Sequence, residues 1–375
     1  MKSSENKAKI VSLGLFMMAL LAVAAHAPIV KVTAYKQVNL ASDVRHLASF
    51  QELDLKNPWG LALDANGVVW IADNDTGVST VYDPNGKPQS LVVTIPPPAG
   101  STNPASPTGM VANNTSEFDL AGGAVPYPAY FIWATTDGTI SGWSPLVNST
   151  RAVLEVDNSA SGAVYTGIAM AMDSSSNEFL YVANVRGGVV EKYDGHFNFV
   201  SSFTDTNLPD GFGPFGIQNI DGSLYVTFSA QDRARNDGFV DVFDPDGNLV
   251  KQFAAHGTLN SPWAVALAPA NFGTFSNALL VGNFGDGRIN AFDQTTGAFL
   301  GQLSDQHGLP ITIDGLWSLT FSELQLTSGQ PSGPYGPAPK AKTQLVLYFT
   351  AGINGESDGL FGVIEATTKK VVPRE

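Results

Sequence analysis

Three polar residues, Asp73, Asn184 and Asn283, end short apolar runs at one point of a repeated pattern, in alternate copies. Carboxylate and amide oxygens converging on one point can hold a hard cation such as Ca²⁺. The same groups can cap their own turns by accepting hydrogen bonds from nearby backbone N–H groups. A second set is aromatic: Trp59, Tyr165, Phe215, Trp263 and Trp317 each stand near the start of another strand of the repeat. Aromatic faces gathered around an opening stack sugar or peptide groups. Packing between neighbouring units is their other use. A third set, Asp75, Asp137, Asp237, Asp286 and Asp358, falls just before a strand, mostly as Asp-Gly, which is first a hairpin signal.

Signatures of catalysis are weak. His46, His196, His256 and His307 show no metal-ligand spacing. The chain has no Cys, which excludes disulfides, thiolate metal sites and Cys nucleophiles. It has no Gly-x-Ser-x-Gly elbow and no His-Glu-x-x-His. Gly282-Asn283-Phe284-Gly285 reads as a turn, because no helix follows it to make a phosphate site.

These residues sit on six copies of one unit. Each copy has a turn residue or Pro, a short apolar strand, a second apolar strand ending in a small polar residue, a Gly turn and a third strand. The anchors fall at 58, 107, 165, 214, 262 and 316. A period near 50 residues, filled with short strands rich in Val, Ile, Tyr, Phe and Trp, is that of a propeller blade. A fourth strand follows five of the units, and the sixth has only Thr367 to Glu375 left. The unused β-rich segment Val32 to Leu40 supplies that missing strand and closes the ring. The expectation is an all-β, six-bladed propeller of four-stranded blades, forming one domain over 28–375. Two inserts interrupt the period, Ile95 to Pro107 and Ser322 to Thr343; loops of this length are functional or mobile.

The N-terminus has the parts of a secretory signal over 1–27. Lys2, Lys7 and Lys9 precede the apolar run Ile10 to Ala25, and Ala25-His26-Ala27 offers a cleavage site. That run is short for a membrane span, so the mature chain is expected to be exported, periplasmic or secreted, with no integral span. Cleavage takes three Lys and one Glu from totals of 20 and 34, and the net charge moves from −14 to −16. Nucleic acid is excluded as a partner, because phosphate binding needs clustered Lys and Arg.

The unit NPWGLALDANGVVWIADNDTGVSTVYDPNGKP resembles an NHL-type repeat. The mature chain as a whole is similar to an uncharacterised family of exported bacterial NHL-like propellers. The match is carried by Tyr35 to Leu40, the Asn-Pro-Trp-Gly block, TDGTISGW at 136–143, GPFGIQNI at 213–220, SPWAVALAP at 261–269 and GDGRINAFD at 285–293. The resemblance covers about 33–366 and implies a fold and export, with no activity to transfer. Propeller lactonases of the gluconolactonase type place a Glu at the start of one inner strand. The matching positions here, Asn57, Ser106, Gly213, Ser261 and Gly315, hold none.

The leading expectation is a non-catalytic binding or scaffold propeller, monomeric, taking a protein, glycan or small molecule at its channel mouth. The alternative is a metal-dependent hydrolase or lactonase with one cation in the channel. A structural envelope protein without a small ligand is the third.

Overall fold

The structure, a computed structural model, describes residues 30–121, 127–231, 236–327 and 341–371. The expected signal segment, most of the second insert and the last four residues lie outside these. Six sheets follow one another around a ring, antiparallel except for a two-residue parallel pairing of Ala41 and Ser42 with Phe50 and Gln51 at the outer edge of the last. The inner strands are Pro58–Leu63, Pro107–Ala112, Tyr165–Met172, Phe212–Ile220, Pro262–Leu267 and Leu316–Thr327. Among the described residues helix is confined to two single turns, Ser159–Ser161 and Gly273–Phe275. Among the described residues no helix is long and apolar enough to cross a membrane.

The core is six apolar wedges, one between each pair of neighbouring blades. This follows from period-two alternation: every middle strand has a neighbouring blade on both faces, so both of its faces are buried. Val69–Asp73 and Phe131–Thr135 are buried throughout, whereas the outer strand Phe199–Phe203 is mostly exposed.

The ring closes as expected, by an N-terminal strand in the last blade. That strand is longer than the sequence suggests, Val30–Ser42, and pairs antiparallel with Asp358–Val371 from Val30↔Val371 to Ser42↔Leu360. Part of the second insert is also strand: Ser322↔Val346 to Thr327↔Ala341 continue the first hairpin of blade six. Tyr35 ties the closing strand to blade five. Its hydroxyl donates to Phe272 O at 3.0 Å and accepts from Phe275 N at 3.2 Å, and its ring lies against Phe272 and Phe275. Tyr35→Ala is expected to cost about 3–5 kcal/mol in urea unfolding, the range for emptying a buried aromatic site. Tyr35→Phe, which loses only the two hydrogen bonds, should cost about 1–2 kcal/mol.

Candidate site at the channel mouth

The first two strands of all six blades share one irregularity. Their register breaks between Pro58 and Leu61, Pro107 and Met110, Tyr165 and Gly167, Pro214 and Gly216, Pro262 and Ala264, and Leu316 and Leu319. A bulge adds a residue and re-aims its side chain. The six residues following the anchor, Trp59, Thr108, Thr166, Phe215, Trp263 and Trp317, therefore occupy equivalent places around the channel. Four are aromatic.

Gly216 lets the inner strands crowd together here: a Cβ on it would lie 2.0 Å from Trp263 O in the next blade. The narrow ring forces the four rings into contact. Trp59 stacks on Trp317 with centroids 3.5 Å apart, and Trp317 stacks on Phe284 at 4.1 Å. Phe215 and Trp263 meet Trp317 edge-on at 5.8 and 5.9 Å. The cluster plugs the channel and floors a mouth cavity of about 560 Å³, lined by Trp59, Phe215 and Phe284 with polar groups around them.

Tyr165 does not join this cluster. It pairs with Asn184 as Pro58 pairs with Asp73, which puts Thr166 in the aromatic position of blade three. The residue before the bulge points the other way, into the wedge between blades. There Tyr165 is fully buried, bonded to Asn158 Nδ2 at 2.7 Å, Glu191 Oε2 at 2.8 Å and Tyr193 OH at 3.0 Å. Burial raises its pKa well above the usual phenol range.

The three residues expected to share a Ca²⁺ end their strands at equivalent places, yet each bonds within its own blade or to the segment entering it. Asp73 Oδ2 accepts from Thr80 N at 3.0 Å and Thr80 Oγ1 at 2.7 Å. Burial pushes the Asp73 carboxyl well above its usual range. Asn184 Oδ1 accepts from Gly187 N at 2.9 Å, and its Nδ2 donates to Glu191 at 2.7 Å. Asn283 Nδ2 donates to Thr258 O at 2.8 Å and Asp286 at 3.0 Å. No hydrogen bond links the three. Asp73 and Asn184 thus accept from backbone N–H groups of their own blades, as in the turn-capping use, whereas Asp73 Oδ1 and Asn283 Oδ1 are buried with no hydrogen-bond partner. Among the described residues no cluster of three or more His, Asp or Glu is placed to hold a metal.

The acidic turns are also used locally. Asp137 accepts from Ser106 N at 2.7 Å, Asp237 from Gly238 N at 2.8 Å, and Asp286 from Arg288 N at 3.2 Å. Asp358 accepts from Asn354 Nδ2 at 2.8 Å.

Sequence reasoning stopped one residue short of the mouth. At or just past the second-strand ends of five blades a backbone N–H bonds back to the segment before the inner strand: Asn74 to Asn57, Thr136 to Ser106, Val185 to Val164, Phe284 to Ser261, Gly352 to Gly315. Asn74, Thr136, Val185 and Phe284 line the cavity, joined by Arg186, Gln231 and Glu356 from the same loops. Two of the three indoles in the plug are bonded: Trp263 Nε1 donates to Thr166 O at 2.9 Å and Trp317 Nε1 to Asn57 Oδ1 at 3.1 Å. Trp59 Nε1 is buried without a protein partner. A larger cleft of about 700 Å³ lies on the perimeter, lined by Tyr35, Lys36, Asp305 and His307 among others. Its one Phe, Tyr or Trp ring, Tyr35, is buried, which leaves only the His307 imidazole open for stacking.

No family model matches the chain. Two proteins of Acanthamoeba polyphaga mimivirus do. Uncharacterized protein R648 is 32% identical over 349 residues, covering 89% of this chain and 80% of that protein. Uncharacterized protein L690 is 30% identical over 347 residues, covering 88% and 86%. The chain belongs to their family. These family members are viral, where the motifs pointed to a bacterial group. Solved structures share the ring. A virginiamycin B lyase from Staphylococcus aureus aligns with a TM-score of 0.50 at 14% identity, covering 89% of this chain and 99% of that one. The PQQ-bound aldose sugar dehydrogenase from Streptomyces coelicolor aligns at 0.51 and 12%, covering 89% and 98%. At such identities the likeness shows the fold alone.

Proposed function

We propose that this chain is an exported, non-catalytic binding propeller of the NHL-like kind, and that its ligand seats on the aromatic floor of the channel mouth. One observation carries the reading. Trp59, Phe215 and Phe284, from three separate blades, line one open cavity whose rim is polar. Concave, ring-floored sites with a few polar groups suit ligands that present a flat face, such as a sugar or an aromatic ring. Export rests on the sequence of 1–27.

The test is a titration of ring-bearing small ligands and oligosaccharides followed by Trp emission. A saturable change is expected for the native chain. Phe215→Ala combined with Phe284→Ala should weaken it by roughly tenfold or more, the worth of one good stacking contact. A panel without a saturable change, or binding indifferent to the double substitution, counts against the mouth.

A further inference from the structure

Among the described lining of the mouth the charged residues are Arg186 and Glu356. They come from blades three and six, which face each other across the ring. Arg186 is exposed, and among the described residues no hydrogen bond or ion pair holds its guanidinium. Its backbone, by contrast, is fixed on both sides. Val185 N donates to Val164 O at 3.0 Å, and Gly187 N donates to Asn184 Oδ1 at 2.9 Å. Gln231 Nε2, from blade four, reaches Val185 O at 2.7 Å. Asn184 thus shapes the turn that presents Arg186. A guanidinium is a planar fork of donors that matches a carboxylate, and a fixed base reduces the entropy lost when the side chain engages.

Building on the mouth as the ligand site, we propose that it selects ring compounds bearing a carboxylate. The ring lies on Phe215 and Phe284, and the carboxylate is held by Arg186. The chain as a whole has no pull on anions, with a net charge of −14. An anion preference therefore has to be local.

The experiment is calorimetric titration of the full chain with two isosteric probes, indole-3-acetate and neutral indole-3-acetamide. The native protein should bind the acid roughly tenfold more tightly, the yield of one charge-assisted pair. In Arg186→Gln the two probes should come within about twofold of each other. Arg186→Lys, a point charge without the fork, should keep part of the preference. Equal binding by the native chain, or a preference that survives Arg186→Gln, overturns the anion inference and leaves the mouth as a site. If neither probe binds, or if binding survives Phe215→Ala with Phe284→Ala, the mouth reading itself fails and takes the inference with it.

Discussion

Asp241→Asn is expected to stabilise the protein at pH 8 and to leave it nearly unchanged at pH 4. Asp241 lies in the third strand of blade four, Gly238–Phe243, opposite Val226, and is fully buried. No donor reaches either of its oxygens. Burial, and then the negative charge of neighbouring Asp205, push its pKa up to about 8. The sign follows from proton counts. Unfolded, Asp241 loses its proton near pH 4; folded, it keeps the proton until about pH 8. Between those values the native state binds more protons, so stability falls as pH rises, by about 1.4 kcal/mol per pH unit. The accumulated loss at pH 8 is on the order of 4–5 kcal/mol. An amide does not titrate, so the variant escapes it. Urea unfolding of both proteins at pH 4 and pH 8 measures the effect. A variant that is less stable at pH 8, or equally shifted at both, would show that Asp241 is ionised and accommodated in the native state.

Trp317→Ala is expected to cost about 3–5 kcal/mol from packing alone. Trp317 is fully buried at the centre of the plug and touches Trp59, Phe284, Phe215 and Trp263. Its loss also strips Asn57 Oδ1 of the indole donor, which adds about 1–3 kcal/mol where the group is buried. The control is Phe199→Ala, an aromatic of the outer edge that is 58% exposed and should change unfolding by less than about 1 kcal/mol. Because the rings of the plug support one another, Trp317→Ala should also abolish the Trp emission response to ligands at a temperature where the variant remains folded. Equal costs at positions 317 and 199 would contradict a packed plug.

The repeat was legible because each blade must satisfy the same demands. A strand buried on both faces needs an apolar run, and each tight hairpin needs Gly or Asp-Gly. Asp137-Gly138 and Asp286-Gly287 mark two of these turns directly, with Gly138 and Gly287 at positive φ. The closing strand was legible because the sixth unit lacked one and Val32 to Leu40 had no other place. Bulges were not legible. They move one residue into the channel without a signature of their own, so Tyr165 passed for a channel aromatic although Thr166 holds that place. The use of polar ends was equally hidden. Asp73, Asn184 and Asn283 carry the same kinds of oxygen whether they meet across an axis or bond within their own blades. Only the partners tell: Thr80 and Gly187 donate to the oxygens of Asp73 and Asn184, whereas Thr258 O takes the amide N–H of Asn283 and leaves its oxygen unpartnered. Phe284 was visible in the sequence, but its role depends on the turn after Asn283 folding back onto Ser261.

The most direct test of the mouth as the ligand site is a crystallographic fragment screen of the protein. Bound rings are expected to gather in the mouth cavity against Phe215 and Phe284, with acidic fragments directing their carboxylates to Arg186. Fragments that collect in the perimeter cleft beside Lys36 and His307, with none at the mouth, would contradict it.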